Sequence, residues 1–275
     1  MIERDLHCHS TYSDGVLPPG DVVRRAALHG VDVLALTDHD EVAGLSEARA
    51  AAAEEGIELV AGAELSVTWE GHTIHVVAVQ IDPNNDALCQ GLEAIRHGRD
   101  ARAQKIADAL LAAGIPGALE GARRYVTSER LISRTHFARF LADAGHVRDI
   151  HDAFKRYLVA GKPGYVPHSW ATLTQALGWI AGAGGQAILA HPGRYKVSRP
   201  DMRRLLGEFR DAGGDAIEII SPSHTAAQRD EYARYARVFG LKGSCGSDFH
   251  APDESADFGD LAPLPVGVEP VWSNW

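Results

Sequence analysis

Lysine is scarce in this chain, cysteine is scarcer, and long apolar runs are missing. Five lysines stand among 27 basic residues against 37 acidic ones, for a formal net charge of −10 over 275 residues. That balance leaves no basic face for gripping long nucleic acid through phosphate contacts alone. Cys8, Cys89 and Cys245 are too few and too scattered for a disulfide framework, and they suit a reducing compartment. No apolar run approaches the roughly 18 residues of a membrane span. The opening residues lack the basic and long apolar regions of a signal peptide. The expectation is a cytoplasmic protein with no membrane contact and no obligate protein partner.

Histidine is abundant. There are 14, several in short polar clusters directly after apolar runs, and hydrophobic residues make up 45% of the chain, enough for a sizeable core. Strands are predicted at Met1–Leu6, Val31–Thr37, Ile57–Leu65 and Thr73–Gln80, the last two joined by a turn at Glu70-Gly71. Helices are predicted from Pro18-Pro19 to Gly30 and over Ala43–Glu55. The pattern then changes to helices alone, over Asn85–Ala113 (interrupted by Gly91 and Gly98), Leu131–Ala144 and Ile150–Val159. After a Gly161–Tyr165 linker, helices Leu173–Ala183, Asp201–Ala212 and Ala226–Phe239 alternate with strands Gln186–Ala190, Ala216–Ile220 and Leu241–Ser247. Repeated β-α units with apolar strands imply an α/β fold with a parallel sheet covered by helices. The simplest architecture is a (β/α) barrel, residues 1–90 and 165–275, split by an inserted helical subdomain, residues 91–164.

A metal-competent residue follows nearly every predicted strand, at the end where barrels carry their chemistry. His7 and His9 have i, i+2 spacing, so in extended backbone both imidazoles point one way and Cys8 points away. Asp14 reaches the same place if its loop folds back. His39 is a candidate ligand, Asp38 a candidate for orienting a ligand, and Asp40 is read as a helix N-cap. Glu64 sits inside an otherwise apolar strand, a costly position unless the carboxylate is paired or bridges metal ions. His75 lies among Ile74, Val76 and Val77, His191 follows a strand, and Asp248 and His250 repeat the i, i+2 spacing. His/carboxylate donors suit Mn²⁺, Zn²⁺ or Fe²⁺ better than Mg²⁺ or Ca²⁺. Clustered ions of this kind activate water and clamp phosphoryl oxygens. His191, His224 and Asp248 are candidates for protonating a leaving oxygen. Arg134, Thr135, Arg194 and His224 are candidates for holding substrate, the arginines because they grip phosphate in bidentate fashion.

The motifs HCHS (7–10), SDG (13–15), TDHD (37–40), AEL (63–65), HPG (191–193) and SDFH (247–250) resemble the PHP (polymerase and histidinol phosphatase) family, in the family's order. LISRTHFARFL (131–141) and GKPGYVP (161–167) are similar to its TrpH-like branch, which includes 3′,5′-nucleotide bisphosphate phosphatases and short-RNA 5′-exonucleases. The resemblance implies a distorted (β/α)7 TIM-like barrel with a trinuclear metal site, with Mn²⁺ as its first candidate. One ion would take His7, His9, Glu64 and Asp248, a second Glu64, His75 and His191, and a third Asp14, His39 and His250. The implied activity is removal of the 3′-phosphate from a small 3′,5′-nucleotide bisphosphate, extending to short 5′-phosphorylated oligonucleotides. The alternatives are a histidinol-phosphatase-like enzyme and a barrel amidohydrolase acting on a C–N bond.

Overall fold

The computed structural model describes residues 2–126, 131–252 and 256–275. Met1 of the predicted first strand and residues 127–130 of the predicted insertion lie outside the described residues. In chain order the elements are β1 (Arg4–Cys8), α1 (Pro19–Leu28), β2 (Val33–Leu36), α2 (Leu45–Glu55), β3 (Glu58–Trp69), β4 (His72–Val79) and α3 (Asp86–Ala112). There follow α4 (Ala118–Arg123), α5 (Arg134–Asp143), α6 (Ile150–Ala153), β5 (Ala171–Thr172), α7 (Leu173–Gly182), β6 (Gln186–Leu189), α8 (Arg199–Asp211), β7 (Ala216–Ile220), α9 (Ala226–Phe239) and β8 (Lys242–Cys245).

The strands run in the order β1-β2-β3-β4-β6-β7-β8, and β5 pairs with the far end of β3. Neighbours are parallel except around β4, which is antiparallel to both β3 and β6. The cause is the Glu70-Gly71 turn. Both residues have positive φ, which matches the right-handed strand twist of a tight hairpin and returns the chain beside itself instead of over a helix. The barrel nearly closes through the segment after β8: Cys8 bridges Phe249 in parallel, and the Asp248 amide donates to the His7 carbonyl at 2.8 Å.

Two apolar layers hold this frame. Leu6, Val33, Ala35, Val60, Val77, Ile188 and Ala190 fill the barrel interior. Outside it, apolar strand residues such as Leu65, Val76 and Leu189 pack with Leu177, Leu205, Phe209 and Ala236 of α7, α8 and α9. A third core belongs to the helical segment alone, with Ile106, Leu110, Phe137 and Leu141 buried together. Burying each of the Val, Leu, Ile and Phe side chains among these contributes roughly 1.5–3 kcal/mol. The boundary expected at residue 91 falls inside α3: Leu88 and Leu92 belong to the barrel's outer core, Ile106 and Leu110 to the helical one. Gly91 and Gly98 do not end that helix. A Cβ at either would come within 2.6 Å of Trp179 or His168, so the glycines let other segments press against its backbone.

Several predicted ends move for local reasons. β1 extends to Cys8 because its ladder with β2 continues to Cys8↔Leu36, so His7 lies in the strand instead of after it. β3 runs on to Trp69 because the hairpin supplies pairing as far as Trp69↔His72. α5 begins at Arg134, where the Ser133 hydroxyl accepts from the Thr135 amide and His136 accepts from the Ser133 amide. The helix predicted over Ile150–Val159 loosens into a π turn at Phe154–Leu158.

Candidate metal centre

The strands converge at the mouth of the barrel, and the side chains at their ends converge with them. Glu64 is fully buried and lies at the middle of the arrangement. Its Oε1 is 3.0 Å from His75 Nδ1, 2.9 Å from His191 Nε2 and 3.3 Å from His7 Nε2. Its Oε2 is 2.9 Å from His39 Nδ1 and 3.3 Å from His9 Nε2. Asp248 approaches His9 at 3.1 Å and His7 at 3.4 Å. Asp14 reaches His250 at 3.2 Å and His39 at 3.7 Å. The loop carrying Asp14 therefore does fold back over β1.

Three sets of donor atoms lie within 4.8 Å of one another: His7, His9, Glu64 and Asp248; His9, Asp14, His39 and His250; and His39, Glu64 and His75. The structure thus brings all nine residues expected as ligands into one cluster, His191 through its contact with Glu64. Two details differ from the expected division: His9 faces two of the sets, and His39 leans on Glu64 as well as Asp14.

The protein atoms alone do not satisfy this cluster. His7 Nε2, Asp14 Oδ1, His39 Nδ1, Glu64 Oε2 and His75 Nδ1 are buried without a hydrogen-bond partner. Orphaned polar atoms are expensive in an apolar interior, and divalent ions would satisfy all of them together. The proton affinities tell the same story. Burial opposes ionisation of Glu64, Asp14 and Asp248, but the surrounding histidines, and Arg194 for Asp248, hold all three carboxyls well below their ordinary range. Burial also works against charge on the histidines. The carboxylates overcome it at His7, raised well above its usual value, and at His39, raised to about 9. They fail at His9, lowered to about 3 by burial and by its histidine neighbours, and at His75, lowered to about 4 by burial. Opposed shifts among adjacent histidines follow from burying several of them around a few carboxylates.

A ring of further groups fixes these donors. Glu218, buried in β7, accepts from His7 Nδ1 at 3.1 Å and from the His191 amide at 2.6 Å. Glu218 was not among the expected site residues, although a lone carboxylate in the apolar strand AIEII is the same signal that singled out Glu64. Gly246 makes room for this pair, since a Cβ there would lie 2.3 Å from the His7 Cβ and 2.7 Å from Glu218. Asp38 accepts from the Ser10 amide at 2.7 Å, and the Ser13 hydroxyl bridges it to His9. His191, Asp248 and Asp40 all hold positive φ, backbone strain concentrated where the donors must be aimed.

Two expectations need correction. Asp40 is no helix cap: α2 starts at Leu45, and the Asp40 carboxylate accepts from the Ser66 amide at 2.7 Å and pairs with Arg99. His224, expected to touch substrate or move a proton, is buried with both ring nitrogens on backbone. Its Nδ1 donates to the Ile219 carbonyl at 2.9 Å and its Nε2 accepts from the Gly193 amide at 3.1 Å. It braces the HPG loop.

Above the cluster stands a group of arginines. Arg194 reaches down to Asp248, Nη1 to Oδ2 at 2.5 Å. Arg134, at the first turn of α5 beside half-buried Thr135, donates to the Leu158 carbonyl and stacks over Phe154. Arg99 and Arg102 lie 4.8 and 5.3 Å from the Trp170 ring. Arg99 is paired with Asp40, but among the described residues neither Arg102 nor Arg134 pairs with a carboxylate. Burial, with Arg134 and Arg99 close by, lowers Arg102 to about 9, and burial lowers Arg134 as well. Two guanidinium groups without a carboxylate partner are chemically able to hold an anion. Arg99 and Arg102 lie on a helix with no strand-end signal, which is why the sequence did not mark them.

The PHP domain model matches residues 5–240. The chain is 50% identical over 273 residues to a 3′,5′-nucleoside bisphosphate phosphatase of Chromobacterium violaceum, covering 99% of this chain and 96% of that one. It is 43% identical over 273 residues to the 5′-3′ exoribonuclease Rnm of Escherichia coli, covering 98% and 93%. A solved structure from Chromobacterium violaceum, described as an amidohydrolase with bound sulfate and no metal, superposes with a TM-score of 0.96 at 50% identity, covering 98% of this chain and 94% of that one.

Proposed function

The chain belongs to the PHP domain family and is a phosphoesterase, and on that premise we propose that it removes the 3′-phosphate of 3′,5′-nucleotide bisphosphates. The products would be the 5′-nucleotide and inorganic phosphate. The observation that carries this reading is the pairing of two unlike sites: a cluster of histidine and carboxylate donors suited to cations, and beside it Arg102 and Arg134, which pair with no carboxylate among the described residues and suit an anion. A substrate with two phosphates fits both at once.

His7, His9, Glu64 and Asp248 would hold one divalent ion, Glu64, His75 and His191 a second, and Asp14, His39 and His250 a third. Three donor sets support a count of three, and Mn²⁺ is the first candidate. Such ions supply a water of lowered pKa and a clamp on the phosphoryl oxygens. The chain's own residues do the rest. Glu218 and Ser13 hold His7 and His9 in orientation. Arg134 and Arg102 hold the 5′-phosphate, with Thr135 as a further donor, and Arg194 lies beside the phosphate being attacked. Of the residues expected to protonate the leaving oxygen, His224 is committed to backbone, Asp248 is ionised against Arg194, and His191 is taken up as a ligand of the second ion, so none of the three is free for that role. Residues 91–164 act as a cap that restricts the site to small or end-on substrates. The three cysteines are free and suit the cytoplasm.

The amidohydrolase alternative fares worse. Lys105, Lys155, Lys162 and Lys196 are exposed, and Lys242 pairs with Glu269 at 3.3 Å, so no lysine is available to bridge metals, and Glu64 stands in that position. The test is phosphate release from 3′,5′-adenosine bisphosphate, 5′-AMP and histidinol phosphate, with and without chelator. Chelator-sensitive preference for the bisphosphate is expected. Preference for histidinol phosphate would overturn the arginine anchor, and no release with Mn²⁺, Zn²⁺ or Fe²⁺ would overturn the whole reading.

A further inference from the structure

The ladder between β4 and β6 is regular from Val79↔Gln186 to Val76↔Leu189, and then it changes. The next facing residues are His75 and Ala190. A facing pair whose backbone groups point at each other across an antiparallel ladder exchanges two N–H···O bonds. Here one is made, from the Ala190 amide to the His75 carbonyl at 3.1 Å. The other is replaced by a side chain. The Tyr195 hydroxyl accepts from the His75 amide at 2.9 Å and donates to the Ala190 carbonyl at 2.7 Å. One phenol oxygen thus stands where the strands would otherwise close on each other, and neither backbone group loses its partner.

The wedge sits where two donors part company. β4 carries His75, and Ala190 leads directly into His191. Both imidazoles turn to one oxygen, Glu64 Oε1, at 3.0 and 2.9 Å. Their ring centroids are 5.3 Å apart and the planes are inclined at 74°, so they converge on Glu64 from different directions. The other edge of β4 is not spread: its ladder with β3 runs unbroken through Ser66↔His75 to Trp69↔His72. The Tyr195 ring also lies edge-on to His191, at 5.8 Å and 72°. Its amide donates to the Pro192 carbonyl at 3.2 Å. The turn that starts from His191, with its positive φ, is thereby pinned back onto the strand it leaves and onto the strand beside it.

We infer that Tyr195 is a positioning residue for the ion assigned above to Glu64, His75 and His191, a reading on which this inference rests: its hydroxyl sets the spacing of the two histidines by holding β4 and β6 apart at the barrel mouth. It acts through the backbone of the donors, not by touching the ion. Donors spaced before an ion arrives need not be rearranged to bind it. With phenylalanine at position 195 the ring remains and the wedge is lost. Either the strands close, or a buried amide and carbonyl go unpaired. Both outcomes move His75 relative to His191. His7, His9, Asp14 and Asp248 are spared, because they belong to β1, the loop after it and the segment after β8, and β1 pairs with neither β4 nor β6.

The experiment titrates Mn²⁺ into metal-stripped wild type, Tyr195→Phe, Tyr235→Phe and His75→Gln by calorimetry, with metal analysis of the equilibrated protein. Tyr235→Phe is the control for losing a hydroxyl elsewhere, since its bond at 3.1 Å goes to Glu231 on the same helix, α9. His75→Gln identifies the binding step that belongs to this ion. The expected result is a loss of about tenfold in affinity at that one step in Tyr195→Phe, with the other steps within about twofold of wild type and Tyr235→Phe unchanged. On the bisphosphate, kcat should fall at low Mn²⁺ and recover at saturating Mn²⁺, with KM unchanged. Wild-type binding in Tyr195→Phe would reduce the hydroxyl to a structural bond and overturn the inference. An equal loss at every step would overturn it too, as the mark of a loosened barrel, and so would a His75→Gln variant that loses no step. The titration contains no substrate, so it decides the inference even if the bisphosphate is not cleaved, a failure that would sink the proposed function alone.

Discussion

At the barrel mouth, ionised carboxylates crowd histidines that cannot all be protonated. In the helical segment, Arg102 and Arg134 pair with no carboxylate among the described residues. Either region alone would be a poor way to build a stable protein, because unpaired buried charge and orphaned polar atoms both oppose folding. Side by side they describe a ligand set. On the proposed function, cations would meet one need and an anion the other, and a phosphate between them would serve both. Each region is destabilised on its own account and made useful by the other, which is how functional sites depart from optimal packing.

The strongest test of that contrast lies in its two buried glutamates. Glu64→Gln removes the carboxylate on which five histidines converge, so activity should fall by about 10³-fold or more and bound divalent ion should disappear in metal analysis. Glu218→Gln acts only through His7 and the His191 amide, so metal affinity measured by calorimetry should weaken about tenfold, with activity largely restored at saturating metal. If the two variants behaved alike, the distinction between holding the ions and aiming the holders would collapse.

The cap is probed by Arg102→Met. Loss of a charged hydrogen-bond donor to phosphate should raise KM for the bisphosphate about 10- to 100-fold. Because the variant also removes a buried charge with no counter-ion, the ligand-free melting temperature should hold steady or rise. A fall of several degrees would recast Arg102 as a structural residue and break the comparison.

The smallest effect concerns His136. It is fully buried, its ring accepts from the Ser133 amide, and burial holds its pKa down at about 4. The folded state keeps it neutral while the unfolded chain binds a proton below its ordinary pKa near 6.5. Its contribution is therefore complete above that value and is lost as pH falls toward about 4, by about 1 kcal/mol per pH unit. Urea unfolding of metal-stripped wild type and His136→Asn across that window should show a shallower slope for the variant. Identical slopes would mean that His136 titrates normally in the folded protein.

Much of this molecule was open to reading from the chain alone. Apolar periodicity placed nearly every strand and helix, because each buries a face whose spacing is local. The strand-end positions marked the histidines, Asp14, Glu64 and Asp248, because extended backbone aims residues two apart in one direction. Sequence left undetermined whatever depends on which segments meet. Glu218 matters because closure of the barrel brings β7 near β1, 211 residues away in sequence from the histidine it holds. Asp40 is an arginine partner because α3 passes above it, and His224 is a brace because the HPG loop folds onto it. Arg102 looks like any surface arginine until the cap closes over it and removes its water. The identity of a donor is local chemistry, but its partner, its burial and hence its charge are properties of the packed chain.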